Sequence, residues 1–216
     1  MLRWRDTENA MMPTTLTPPP VKTSGLMQSE PMPHRWTIAE YRKLGETGIF
    51  SGRKTMLIHG EVYTMVFPNP PHDYSLGVLD DWLRIVFAAG HHIRNQMGFD
   101  VGTDNDPGPD LAVVTGTRKD HLGRTPTAAV MVVEVAETSL FLDTTEKAEL
   151  YATAGVPDYW VLDVANRQLH VFRDPVALPA GLGATAYRSH TTHSESDTVS
   201  PLAAPTASIR VAELLP

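Results

Sequence analysis

Two carboxylates and a lysine stand where their chemistry could be joined. Asp110 immediately precedes a short β-prone run at 111 to 115, and Glu134 lies near the end of the next one, AAVMVVEVA at 128 to 136. Carboxylates at the ends of neighbouring strands can converge on a hard cation such as Mg²⁺, which takes oxygen ligands. Lys147 falls in the first turn of the helix that follows, with Tyr151 one turn further along the same face. An ammonium held beside metal-bound water would orient or deprotonate it, or neutralise a phosphorane-like transition state.

Plain structural readings compete with these. Asp110, after a proline, also suits a turn or strand entry. Glu134 inside an apolar strand costs several kcal/mol unless it is paired or metal-bound, and a buried salt bridge with Lys147 would meet that need as well as an ion would. Lys147 alone reads as a solvated helix residue. Tyr151, Tyr159 and Trp160 read as core packing. His91 and His92 are adjacent in a strand, so their rings point to opposite faces and cannot share one metal. His190 and His193 sit in a Thr/Ser-rich segment and read as solvated.

The elements that must position these residues are legible from periodicity and punctuation. Thr37 and Glu40 form a capping box opening a short helix to about Leu44. Residues 55 to 67 are two β-prone runs around His59-Gly60, a hairpin. Apolar residues at spacings of three and four from His72 to Ala88, stopped by Gly90, predict an amphipathic helix lying on a sheet. Strands follow at about 91 to 101, 111 to 115 and 128 to 136, the last so apolar that it should be central and covered on both faces. Asp143 and Glu146 read as a second capping box for a helix over 144 to 154, with Gly155 at its end. A strand at 159 to 162 then completes a right-handed βαβ crossover with parallel strands. Residues 168 to 173 and 185 to 192 read as antiparallel additions, and 206 to 215 as a final edge segment.

Composition narrows the classes. The chain has 216 residues, 18 Lys+Arg against 25 Asp+Glu, a formal charge of −7 and no cysteine. Disulfide frameworks, thiolate zinc sites and cysteine nucleophiles are thereby excluded, and any contact with a phosphate backbone must be local. No apolar run approaches the ~20 residues of a membrane span, and the N-terminus lacks the apolar core of a signal peptide, so a cytoplasmic protein without membrane contact is expected. Prolines 13, 18, 19, 20, 31 and 33 mark residues 1 to 34 as a disordered leader, with one folded domain over 35 to 216. No G-x-S-x-G elbow, Walker loop or H-E-x-x-H occurs, which leaves serine hydrolases, P-loop NTPases and zincins without support.

Taken in order, Gly60-Glu61, His72, Pro109-Asp110-Leu111, Val132-Val133-Glu134-Val135, Asp143, Lys147, Tyr151, the run 155 to 163 (GVPDYWVLD) and Val211-Ala212-Glu213-Leu214 resemble the Uma-two family of restriction-endonuclease-like proteins. That family lies within the PD-(D/E)xK nuclease superfamily, and the resemblance spans 37 to 216. It implies an α/β fold with a mixed β-sheet flanked by helices, an N-terminal hairpin and C-terminal antiparallel strands. It further implies metal ligation by Asp110, Glu134 and the Val135 carbonyl, and hydrolysis of phosphodiester bonds in DNA with Mg²⁺ or Mn²⁺. The superfamily's usual lysine position is Ala136 here; the family supplies the lysine from the next helix, which points to Lys147.

A second departure is Ala136-Glu137-Thr138-Ser139, which puts an extra negative charge near the proposed metal. In the family's pattern Glu61 is a further acidic contributor, against a sheet-edge charge as its alternative. His72 either faces the site or simply opens its helix, and Asp163 is framework or outer support. Arg53-Lys54 and Arg118, Lys119 and Arg124 are the local cations available to DNA, and a homodimer would supply two sites for two strands. The competing function is a nuclease-fold domain with a vestigial site that binds a protein or nucleic acid. A third is a hydrolase of small phosphate esters.

Overall fold

The computed structural model describes residues 31–65, 69–178 and 185–216. Of the leader expected at 1 to 34, residues 1 to 30 lie outside the described residues, as do Val66 and Phe67 at the end of the expected hairpin segment. The chain divides into Met1–Pro33 and His34–Pro216, and every element below belongs to the second unit.

Helix α1 (Ile38–Glu46) opens with the expected box: the Glu40 amide donates to Thr37 Oγ1 at 3.2 Å and the Thr37 amide to Glu40 Oε2 at 2.9 Å. Strands β1 (Thr55–Ile58) and β2 (Glu61–Thr64) form the hairpin, with His59 at φ 49° and Gly60 at φ 71° in the turn. Two consecutive positive φ values give the twist that matches a hairpin. The hairpin is a two-stranded sheet of its own, tied outward by an antiparallel bridge from Leu57 to Asp106 and by Gly60, whose amide donates to the Asp104 carbonyl and whose carbonyl accepts from the Trp36 amide, both at 2.9 Å. A Cβ at Gly60 would come within 2.8 Å of Arg35 Cβ and 3.0 Å of the Trp36 nitrogen. Gly60→Ala is therefore expected to destabilise the fold by about 1–3 kcal/mol, read as a lowered urea midpoint with unchanged m-value.

Helix α2 (Pro70–Val86) begins two residues before the expected start. Asn69 caps it, accepting from the His72 amide at 3.3 Å, and prolines suit the first helical positions, where an N–H would have no partner within the helix. Strand β3 (His91–Asn95) is shorter than the expected 91 to 101, because Gln96 turns to φ 50° and its amide donates to the Asp110 carbonyl at 2.9 Å. Next come β4 (Leu111–Thr115), β5 (Met131–Ala136), α3 (Leu140–Thr144), α4 (Glu146–Thr153), β6 (Asp158–Asp163), β7 (Gln168–Ala177) and β8 (Thr185–Ser194).

The main sheet has the order β3-β4-β5-β6-β7-β8, with β5 and β6 parallel and every other neighbouring pair antiparallel. All six residues of β5 are buried, as its apolar run requires. One sheet face, including Val133, Trp160 and Leu162, packs on Leu79 and Leu83 of α2; the other, with Val132, Tyr159 and Val161, packs on Leu150 and Tyr151 of α4. The expected edge segment at 206 to 215 is mostly not a strand. Only β10 (Ile209–Arg210) pairs, with β9 (Thr198–Val199), and Val211–Leu214 is a 3₁₀ turn. Val211 and Leu214, three apart, bury on one face as a helical turn allows and strand alternation does not.

Candidate active site

Asp110 and Glu134 meet because β4 and β5 are antiparallel neighbours in register Leu111 to Val133. Asp110 stands one residue before β4, and its amide donates to Glu134 Oε2 at 3.2 Å. The Val135 amide, one residue beyond Glu134, donates to Asp110 Oδ2 at 2.9 Å. Alternation turns Glu134 toward the face that carries α4, and there Lys147 Nζ lies 3.0 Å from Glu134 Oε1. One helical turn on, the Tyr151 hydroxyl donates to that same oxygen at 2.6 Å. His72 Nε2 approaches Asp110 Oδ2 to 3.3 Å, and Gln96 Nε2 donates to Oδ1 at 3.2 Å.

Asp143 corrects the expectation. It is not the N-cap of a helix over 144 to 154; it is buried within α3, and Thr145 separates α3 from α4. Its Oδ1 lies 2.9 Å from Lys147 Nζ, the Ser139 hydroxyl donates to its other oxygen, and Tyr159 donates to its carbonyl at 2.7 Å. The i,i+4 spacing to Lys147 was the available signal. Gln96 carried none, being a loop residue placed by a backbone reversal.

Asp110, Glu134, His72, Lys147 and Val135 all line one pocket of about 330 Å³, together with Lys54, Glu137 and Ser139 among others. Tyr151 stands behind Glu134, fully buried. Glu61 does not line this pocket: it is exposed, pairs with Arg35 and accepts from Tyr63 at 3.3 Å. Asp163 opposes Ala136 across the parallel pair and accepts from Asn166. His91 packs on Phe87 and His92 near His121, on different partners as their alternation requires. Arg118, Lys119, Arg124 and Arg53 lie outside the pocket.

The charges in this cluster are unequal. Asp110, Glu134 and Asp143 are 5%, 2% and 1% exposed, and the one buried ammonium among them, Lys147, is 2% exposed. Burial pushes the Glu134 carboxyl up to about 8, the Asp110 and Asp143 charges adding to the effect of burial while Lys147 and Tyr151 oppose it. Burial would also raise Asp110, but the His72 hydrogen bond, the Lys147 and His72 charges and the Val135 amide together hold it at about 2. Burial alone would lower Lys147, yet the facing carboxylates raise it. In the same way burial works against the His72 cation and Asp110 outweighs it, so His72 is raised.

These shifts give a stability prediction with a definite sign. A Glu134 carboxyl raised from 4.5 to about 8 means that the folded metal-free protein holds a proton the unfolded chain has lost, so stability falls as pH rises through that window. In chelator, the parent is expected to lose stability between pH 5.5 and 8.5 relative to Glu134→Gln. Thermal denaturation of the pair at both pH values checks it, and equal slopes would contradict it.

Two carboxylates, a net anionic cluster and an adjoining pocket fit a hard divalent cation. Among the described residues no group of three or more His, Cys, Asp or Glu side chains is arranged to hold a metal.

The sheet, its flanking helices and the β4–β5 carboxylates define a restriction-endonuclease-like fold. A solved structure described as "a putative nuclease belonging to DUF820", from Anabaena variabilis, is similar in fold, with a TM-score of 0.60 and 14% identity over 82% of this chain and 96% of that one. No curated protein matches the chain. The profile of the Uma2 family, described as "Putative restriction endonuclease", matches residues 38–212, and the chain belongs to that family. Among the described residues no helix is long and apolar enough to cross a membrane.

Proposed function

We propose that this pocket hydrolyses phosphodiester bonds in DNA, with Mg²⁺ or Mn²⁺ held by Asp110, Glu134 and the Val135 carbonyl. The observation that carries the reading is the convergence of Asp110, Glu134 and Lys147 from three separate elements on one pocket. The chemistry supplied by a bound ion is polarisation of phosphoryl oxygen and a lowered pKa for its water. Lys147 holds an ammonium at the pocket wall, and its raised pKa favours positioning water and neutralising phosphoryl charge over abstracting a proton. Tyr151 and the Asp110 amide orient the Glu134 carboxylate, while His72 and Gln96 orient that of Asp110. In the overall reaction water adds to phosphorus, one P–O ester bond breaks, and the leaving oxygen takes up a proton.

Lys54 lines the pocket and makes no ion pair among the described residues, so it is the pocket cation free to meet a neighbouring phosphate. Lys54→Ala is expected to weaken DNA binding across sequences and reduce the slope of log K against log salt by about 1. A titration at several salt concentrations checks it, and an unchanged slope would remove Lys54 from the contact. The proposal as a whole is tested by offering supercoiled plasmid and nucleotide monoesters with Mg²⁺ or Mn²⁺. Nicked or linear plasmid supports it, cleavage of monoesters alone moves the reading to small phosphate esters, and neither product in any metal overturns it. The binding-module reading draws on one observation: Lys147 and the buried carboxylates already satisfy one another.

A further inference from the structure

Strands β7 and β8 bring two imidazoles together outside the pocket described above. His170 Nδ1 and His190 Nε2 are 3.2 Å apart, and the Thr192 hydroxyl oxygen lies 3.2 Å from the same Nδ1. Register accounts for the grouping: His170 opposes Thr192 and Phe172 opposes His190, so alternate residues of neighbouring strands share one face. None of these residues lines the pocket of Asp110 and Glu134. The sequence places His190 in a Thr/Ser-rich segment with no visible partner, and only the strand register reveals His170 beside it.

The surroundings are those of a ligand pair. A tetrahedral ion about 2.0–2.1 Å from each of two imidazole nitrogens separates them by roughly 3.3 Å. The far nitrogen of His170, Nε2, has no hydrogen-bond partner and faces the Asp163 carboxylate at 3.9 Å. Asp163 is buried and fixed by the Asn166 amide at 3.0 Å and side chain at 2.7 Å. A carboxylate behind the far nitrogen favours a proton there and leaves Nδ1 with a free lone pair. The His190 ring stacks on Phe172 at 4.1 Å and 9°, which fixes the direction of its Nε2.

We propose that His170 and His190, with the Thr192 hydroxyl and water, bind one borderline transition-metal ion of the Zn²⁺ or Cu²⁺ kind. Imidazole suits these ions, whereas carboxylate oxygen suits Mg²⁺ and Mn²⁺, so the two sites sort ions by ligand type. β8 is the last strand of the sheet and His190 is exposed, which leaves room for water to complete the coordination. This site does not depend on the nuclease reading.

Calorimetric titration of Zn²⁺ into the full chain tests it, beside His170→Gln, His190→Gln, Asp163→Asn and Asp110→Asn. The parent and Asp110→Asn are expected to take up one equivalent at this site, the two glutamine variants to bind at least tenfold more weakly, and Asp163→Asn to lose about 10–100-fold. Thermal melting without metal checks that each variant is folded. Should the glutamine variants unfold, the Cu²⁺ spectrum of the parent by electron paramagnetic resonance decides, with coupling to two imidazole nitrogens expected. Zn²⁺ uptake in folded glutamine variants equal to the parent's, no uptake by the parent, or Cu²⁺ without nitrogen coupling would overturn the proposal.

Discussion

Lys147→Met is expected to cost the fold about 3–5 kcal/mol and to reduce DNA cleavage about a hundredfold or more. The stability loss follows from what remains. Glu134 and Asp143 are both within 3.0 Å of Lys147 Nζ, and without the ammonium they are buried carboxyls facing a methyl thioether. Burial has already pushed Glu134 up to about 8, and removing the opposing charge drives it higher. The cost should therefore be conditional on Glu134. In the double variant Lys147→Met with Glu134→Gln the loss should be smaller than the sum of the two single losses, because only Asp143 of the two carboxyls is then left without its partner. Chemical denaturation of the four proteins measures that coupling. Cleavage should not recover with stability, since the double variant lacks both the ammonium and the Glu134 carboxylate; the single variant is the one that reads the ammonium's part in cleavage. A folded Lys147→Met protein that cleaves at the parent's rate would remove Lys147 from the reaction.

The second large effect belongs to the carboxylates. Asp110→Asn and Glu134→Gln keep the shape and much of the hydrogen bonding of the originals, so both should fold. What they lose is a carboxyl group that can ligate the ion, Glu134 giving up its proton as the ion binds, and with it affinity for the ion. An ion that binds only the folded protein stabilises it by RT ln(1 + [L]/Kd), about 2.7 kcal/mol at a hundredfold excess over Kd. The parent should show that gain in thermal melting with Mn²⁺ and the two variants little of it. Cleavage should disappear in the same two proteins. Glu134→Gln carries a further signature, because it also removes the proton that the raised Glu134 carboxyl holds in the metal-free fold.

Much of this arrangement was legible because the chemistry ran against the local pattern. Glu134 stands out as a carboxylate inside an apolar strand, and its demand for a partner follows from the cost of burial alone. The structure meets that demand with Lys147, Tyr151 and the Asp110 amide together. Both readings of Glu134 thus share one geometry: it is buried 3.0 Å from the Lys147 ammonium, and it lines the pocket. Ala136, in the position where the wider superfamily has its lysine, is buried beside the site, and Lys147 reaches Glu134 from α4 instead.

Other features were hidden for physical reasons. Asp143 satisfies two local patterns at once, the cap three residues before Glu146 and the i,i+4 partner of Lys147, and only the burial of Glu134 beneath α4 decides between them. Glu61 sits beside the hairpin turn as the family's pattern has it, but its strand position is exposed and Arg35 takes its charge. Gln96 reaches Asp110 through a backbone reversal at φ 50°, a conformation a glutamine does not announce. His170 and His190 are brought together by the β7–β8 register, which depends on the strands' full length rather than on any local spacing.

The central claim is that Asp110 and Glu134 form a cation site. Calorimetric titration of the purified chain with Mn²⁺, beside Asp110→Ala and Glu134→Ala, tests it without requiring the right DNA substrate. Binding in the parent that is lost in both folded variants is the predicted result. If all three proteins fold and none takes up Mn²⁺, or if the variants bind it as the parent does, the carboxylate pair is not a metal site and the nuclease mechanism built on it fails.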